Sequence, residues 1–139
     1  MPIRKAHAQW EGNLMDGKGT IKFGSFSGAY SFASRFENGE GTNPEELIGS
    51  AHAGCFSMAL AHEIAQKGYT PKRISTDALV HLDKVGEGFS ITSIELVTEA
   101  DIPDIKEETF LKIAEGAKSN CPVSKALTGL KIQLKATLI

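Results

Sequence analysis

Residues 46–65, ELIGSAHAGCFSMALAHEIA, limit the possible folds of this chain more than any other segment does. Between residues 47 and 60 polar side chains are confined to Ser50, His52 and Ser57, and small residues recur at Gly49, Ala51, Ala53, Gly54, Ala59 and, just beyond, Ala61. A helix that is apolar nearly all round belongs inside a molecule, and its small residues let a neighbour approach closely. The signals before it fit a helix start: Thr42 or Asn43 can cap, Pro44 suits the first position, and Glu45 and Glu46 complement the positive end of the dipole. The helix is expected to end near Lys67, with Gly68 as its stop and Pro71 beyond it. Such a helix needs cover on several sides, which a single domain of 139 residues provides only sparingly. An intimate homodimer is therefore expected.

The other elements are shorter and mostly extended. Strands are expected at residues 3–11, 19–25 and 29–36, separated by the Gly-containing turns EGNLMDGKG and FSG. After the buried helix, KRISTDALVHLDKV and GFSITSIELVTEAD read as two longer strands joined at VGEG. A helix at residues 106–119 follows, then the break SNCPVS, a short helical turn through Leu127, and a final strand, LKIQLKATLI. In that last strand Leu130, Ile132, Leu134, Ala136 and Leu138 share one face. The order βββ-α-ββ-α-β is segregated rather than alternating, which predicts an α+β fold with mainly antiparallel sheet, in one domain spanning residues 1–139.

Charge and hydropathy remove several classes of function. A net charge of -2 leaves no bulk basic footprint for nucleic acid or an anionic membrane. The longest apolar run is interrupted by His52, then His62 and Glu63, short of the roughly 20 residues a membrane span requires. MPIRKAHAQW lacks the apolar segment of a secretory signal, so a cytoplasmic setting with reduced thiols is expected. GEGTNP lacks the Lys and the preceding strand of a phosphate-binding loop.

The two cysteines carry the remaining chemistry. On residue type alone Cys55, in the apolar helix, is a small hydrophobe. Cys121, in Asn120-Cys121-Pro122, stands at the start of a new helix, where thiol pKa values fall and thiolate chemistry is favoured. A buried thiol and an exposed-looking one cannot be paired by sequence alone, but they fit an attacking and a resolving cysteine. Apolar burial raises a thiol's pKa, so Cys55 would need a cation. Arg35, expected at the end of the third strand, is the best-placed one, and Glu45 can hold its guanidinium bidentately. Glu45 precedes Cys55 by ten residues. That is roughly 15 Å of helical rise, so a direct contact between them would need a kink near Gly49 or Gly54. Taken alone, Arg35 reads as an ordinary surface arginine and Glu45 as a first-turn dipole partner, and spacing does not settle it. His52 and Cys55 at i, i+3, with His62 further along, leave open a metal-binding or sensory protein. A structural or ligand-binding dimer with incidental thiols is the third reading.

RFENGEGTNPEELIGSAHAGCFSMAL and NCPVSKAL, with AQWEG and LDKVGEGFSITSIEL, resemble the OsmC/Ohr family of thiol-dependent hydroperoxide reductases over essentially the whole chain. SAHAGCFSMAL resembles the OsmC branch more than Ohr, which usually carries Gly-Tyr in place of Ala51-His52. The resemblance implies antiparallel sheets wrapped around central buried helices in an intertwined homodimer, with neither metal nor organic cofactor. It implies that Cys55 is the peroxidatic and Cys121 the resolving cysteine, that Arg35 lies beside the reactive sulfur, and that Glu45, directly after the TNP proline, holds Arg35. It also implies organic hydroperoxide as substrate, hydrogen peroxide less well, with an external dithiol as reductant in oxidative stress defence. Phe36, Phe56 and Met58 are the apolar neighbours that would favour an alkyl hydroperoxide.

Overall fold

The computed structural model describes all 139 residues, in two compact units, Met1–Leu47 and Ile48–Ile139. In the first unit β1 (Ala6–Glu11), β2 (Lys18–Phe23) and β3 (Phe26–Tyr30) form an antiparallel sheet in the order β1-β2-β3. The β2–β3 turn is Gly24-Ser25, with Gly24 at φ 52°. Glycine at the first central position is what a two-residue hairpin loop of the II′ kind calls for. Phe23 and Phe26 stack across this turn with centroids 4.7 Å apart. Neither face of the sheet is well covered: β1 is exposed apart from a half-buried Trp10.

The expected strand over residues 29–36 is not one element. It stops at Tyr30, and α1 (Phe32–Phe36) begins immediately. Ser31 and Ser34 form a reciprocal capping box, the Ser31 hydroxyl accepting from the Ser34 amide (3.1 Å) and the Ser34 hydroxyl from the Ser31 amide (2.8 Å). Local side-chain capping overrides the β-prone Phe32 and Phe36 here. Arg35 therefore sits in the last turn of a short helix, not at a strand end.

Helix α2 (Pro44–Gln66) starts in the first unit and continues through the second without a break at Gly49 or Gly54. Asn43 caps it: its Oδ1 accepts from the Glu46 amide (2.8 Å), and its Nδ2 donates to Glu46 Oε1 (2.8 Å) and to the Ser34 carbonyl (3.0 Å). In the second unit β4 (Arg73–Val85), β5 (Gly88–Asp101) and β6 (Lys131–Leu138) form a sheet in the order β4-β5-β6. The β4–β5 hairpin again turns on glycine, Gly86, at φ 63°. β6 pairs parallel to β5, because α3 (Glu107–Asn120) and α4 (Pro122–Ala126) carry the chain back between them.

The core of this unit gathers Phe56, Leu60 and Ile64 of α2, Ile94 and Leu96 of β5, and Phe110, Ala114 and Ala117 of α3. Gly49 lies so close to β4 that a Cβ there would stand 3.2 Å from Val80 Cγ2. A hydroxyl chain also ties α2 to the sheet: Ser57 Oγ to Thr76 Oγ1 (2.8 Å), Thr76 Oγ1 to Thr98 Oγ1 (2.9 Å), and Thr98 donating to the Ser75 carbonyl (3.1 Å). Only one stripe of α2 is buried by this chain: Gly49, His52, Phe56, Leu60 and Ile64 are covered, while Ala51, Gly54 and Met58 are exposed. No helix is long and apolar enough to cross a membrane.

Asn43 joins the α2 cap to the α1 backbone, so its loss should cost more than a simple cap. Asn43→Ala is expected to lower unfolding free energy by about 1–3 kcal/mol. Asn43→Asp, which keeps the acceptor and loses the donor, should fall between it and the parent, as read from urea unfolding midpoints.

Candidate active site

The second unit brings the two thiols together. Cys55 lies on α2 beside the buried stripe, and Cys121 is the residue at which α3 ends and α4 begins. Both are free thiols, with their Sγ atoms 3.0 Å apart. Their relative exposure is the reverse of the sequence expectation: Cys121 is fully buried and Cys55 is only partly so. At the start of α4 Cys121 and Ser124 face inward while Pro122 is exposed, and Cys55 is displaced from Phe56 by about 100° of helix rotation to the rim of the stripe.

The surroundings treat the two sulfurs differently. Burial pushes the Cys55 thiol up, its contact with Cys121 adds to this, and the Val123 amide only partly opposes them. Burial acts on Cys121 in the same direction, but Cys55, the amide and hydroxyl of Ser124 and the Val123 amide outweigh it and hold Cys121 below the ordinary thiol value. Either thiol can donate across the 3.0 Å contact. The donors gathered at α4 favour the proton on Cys55 and the charge on Cys121. No cation contributes to the Cys55 titration.

In the first unit the structure pairs Arg35 with Glu45. Arg35 Nη2 donates to Glu45 Oε1 (2.7 Å), and Nε lies 3.1 and 3.2 Å from the two carboxylate oxygens. Glu45 is buried and fixed on α2, whereas a third of the Arg35 side chain remains accessible (36%). The guanidinium also lies 5.4 Å from the Phe36 ring centroid. Arg35 and Phe36 line an open pocket of ≈ 440 Å³ with Trp10, Leu14, Tyr30 and Phe32. Of the three apolar residues proposed to select substrate, Phe36 alone lines this pocket. Phe56 is a core residue and Met58 points outward, 76% exposed.

His52 Nε2 is bonded to Ser124 Oγ (2.8 Å), His62 faces Gln66 on its own helix (3.4 Å), and no three His, Cys, Asp or Glu side chains converge anywhere. Ser124 is the site residue that sequence reasoning missed. Its spacing of three from Cys121 across a proline was the available signal.

The family model described as OsmC-like protein matches residues 37–135. The chain is 48% identical to "Peroxiredoxin OsmC" of Escherichia coli (strain K12), over 96% of this chain and 97% of that one. It superposes on the crystal structure of an OsmC-like protein from Mycoplasma pneumoniae with TM-score 0.79 at 17% identity, covering 99% and 98% of the two chains. It superposes on the organic hydroperoxide resistance protein OhrB of Bacillus subtilis with TM-score 0.71 at 26% identity, covering 97% and 98%. An α+β fold of two small sheets and four helices, with its paired thiols on α2 and at the α3–α4 junction, thus belongs to a protein of the OsmC family.

Proposed function

We propose that this protein is a cysteine-based peroxidase that reduces organic hydroperoxides to alcohols in oxidative stress defence, acting in the cytoplasm as a single OsmC-like domain. The observation that carries this reading is the 3.0 Å contact between Cys55 and Cys121, in a chain 48% identical to a peroxiredoxin over nearly its full length. Cys55 is the more accessible thiol and takes the attacking role; Cys121, buried beneath it and held toward thiolate, takes the resolving one.

Cys55 attacks the terminal oxygen of ROOH, the O–O bond breaks, and the departing alkoxide takes a proton to leave as ROH. The sulfenic acid left on Cys55 is then attacked by the Cys121 sulfur: an S–S bond forms and hydroxide leaves as water. An external dithiol restores both thiols by exchange. Neither metal nor organic cofactor is needed for any of these steps.

The groups around the two sulfurs leave the proton on Cys55, the sulfur that must attack. Arg35 is the cation that this reading assigns to it. Gripped through Nε and Nη2 by Glu45, its guanidinium would present its remaining N–H groups to the Cys55 thiolate and then to the alkoxide. The aromatic pocket beside Arg35 supports an alkyl or aryl hydroperoxide over hydrogen peroxide. A homodimer is supported by the exposed stripe of Ala51, Gly54 and Met58 on α2 and by the poorly covered sheet of the first unit.

Cys55→Ser is expected to abolish peroxide consumption in a dithiol-coupled assay. Cys121→Ser should consume about one hydroperoxide per site and stop at the sulfenic acid. Full turnover by Cys55→Ser would exchange the two roles.

The thiolate is the reactive form, so a raised Cys55 pKa moves the rate profile to higher pH. Arg35→Ala should lose most of its rate near neutral pH and recover part of it as pH rises. Arg35→Lys should recover less than full activity, because an ammonium cannot hold Glu45 bidentately while facing sulfur. A Cys55 alkylation profile unchanged in Arg35→Ala would place the activating cation elsewhere.

Sedimentation at low micromolar concentration should give about twice the 14.9 kDa chain mass. A folded monomer there would refute the dimer.

A further inference from the structure

His52 is fully buried on α2, one turn before Cys55, where an apolar side chain would avoid the cost of desolvating an imidazole. Its Nε2 lies 2.8 Å from Ser124 Oγ, while Nδ1 has no hydrogen-bond partner. Burial holds the ring below the ordinary imidazole value, so it is neutral near pH 7 and carries a single N–H. Orphaned buried N–H groups are rarer than under-satisfied acceptors, which places that hydrogen on Nε2. Nε2–H then donates to Ser124 Oγ and occupies a lone pair of the hydroxyl. The hydroxyl hydrogen must turn to another acceptor.

That acceptor is at hand. Ser124 is itself buried, and its hydroxyl and amide both favour charge on the Cys121 sulfur. The His52–Ser124 bond and the Cys121–Cys55 contact both run from α2 to the start of α4, where Ser124 follows Cys121 by three residues.

We propose that His52 is a positioning residue for the second half of the cycle: through Ser124 it holds a hydroxyl donor on the Cys121 sulfur as that sulfur attacks the Cys55 sulfenic acid. The proposal rests on the cysteine roles assigned above. The Cys121 sulfur forms the S–S bond, the S–O bond of the sulfenic acid breaks, and the hydroxide leaves as water after taking a proton. His52 hydrogen-bonds neither reacting sulfur and acts only through Ser124.

The test uses the full-length, prereduced protein mixed rapidly with one equivalent of tert-butyl hydroperoxide. Loss of hydroperoxide reports the first step; the lifetime of the sulfenic acid, trapped with dimedone, reports the second. In His52→Leu and in Ser124→Ala the first step should not slow. The second should slow by about threefold, since one pKa unit costs tenfold in thiolate but returns roughly threefold in nucleophilicity. The double variant should be no slower than either single one, because both break the same link. His52→Gln, whose amide N–H can reach the hydroxyl, should restore most of the rate.

An unchanged second step, an equal slowing of both steps, or single effects that multiply in the double variant would each overturn the proposal. Should His52→Leu not fold, Ser124→Ala decides alone, by whether its second step slows while its first does not. A parent protein that forms no sulfenic acid on Cys55 would instead refute the peroxidase reading beneath it.

Discussion

Burial of one stripe of α2 is the constraint on which the second unit depends. Phe56, Leu60 and Ile64 recur at four-residue spacing and enter a core shared with β5 and α3. Each fully buried side chain of this size contributes about 1.5–3 kcal/mol. That driving force fixes which way the helix faces, but a purely apolar stripe would tolerate some rotation. The Ser57–Thr76–Thr98 hydroxyl chain limits that freedom, because a small turn of α2 would break its part-buried link to the sheet. The small Gly49 lets the helix settle onto Val80 of β4. With its rotation set, the helix has one place for residue 55, at the rim of the stripe, within reach of solvent on one side and of Cys121 on the other.

The division of labour between the sulfurs follows from where backbone donors fall. The α3–α4 junction turns the Val123 and Ser124 amides toward Cys121, whereas Cys55 sits in mid-helix, where α2's own amides are already committed. A thiol pair built this way keeps its charge on the deeper sulfur until a cation reaches the outer one. The Arg35–Glu45 pair, proposed for that role, has a buried, helix-bound carboxylate and a partly accessible guanidinium.

How legible this was in the sequence varied with the range of the interaction. The cap and length of α2, the long strands β4 and β5, and the alternation in β6 depend on neighbours a few residues apart, and all were readable. The helix α1 was equally local, yet it was hidden because Ser31 and Ser34 form a capping box without the Glu or Gln that usually marks one. The parallel placement of β6, the inward-facing Cys121 and the His52–Ser124 bond were not readable. Each depends on how the α3–α4 crossover folds back on the sheet, and His52 and Ser124 lie 72 residues apart. Resemblance to a family singled out the two thiols, Arg35 and Glu45, but gave no account of His52.

The parallel pairing of β5 with β6 has a further consequence, for the order of assembly. The β4–β5 hairpin closes on two residues and can form from nearby chain, but β6 finds its place only after α3 and α4 have been laid down. Cys121 travels with that crossover. Cys55 is therefore made first and waits without a partner through the synthesis of the hairpin and α3. The sulfur contact joins residues 66 apart in the chain, so an unfinished or partly opened chain lacks the couple. Redox competence is in this sense a certificate of a completed crossover, because Cys121 meets Cys55 only where α3 gives way to α4.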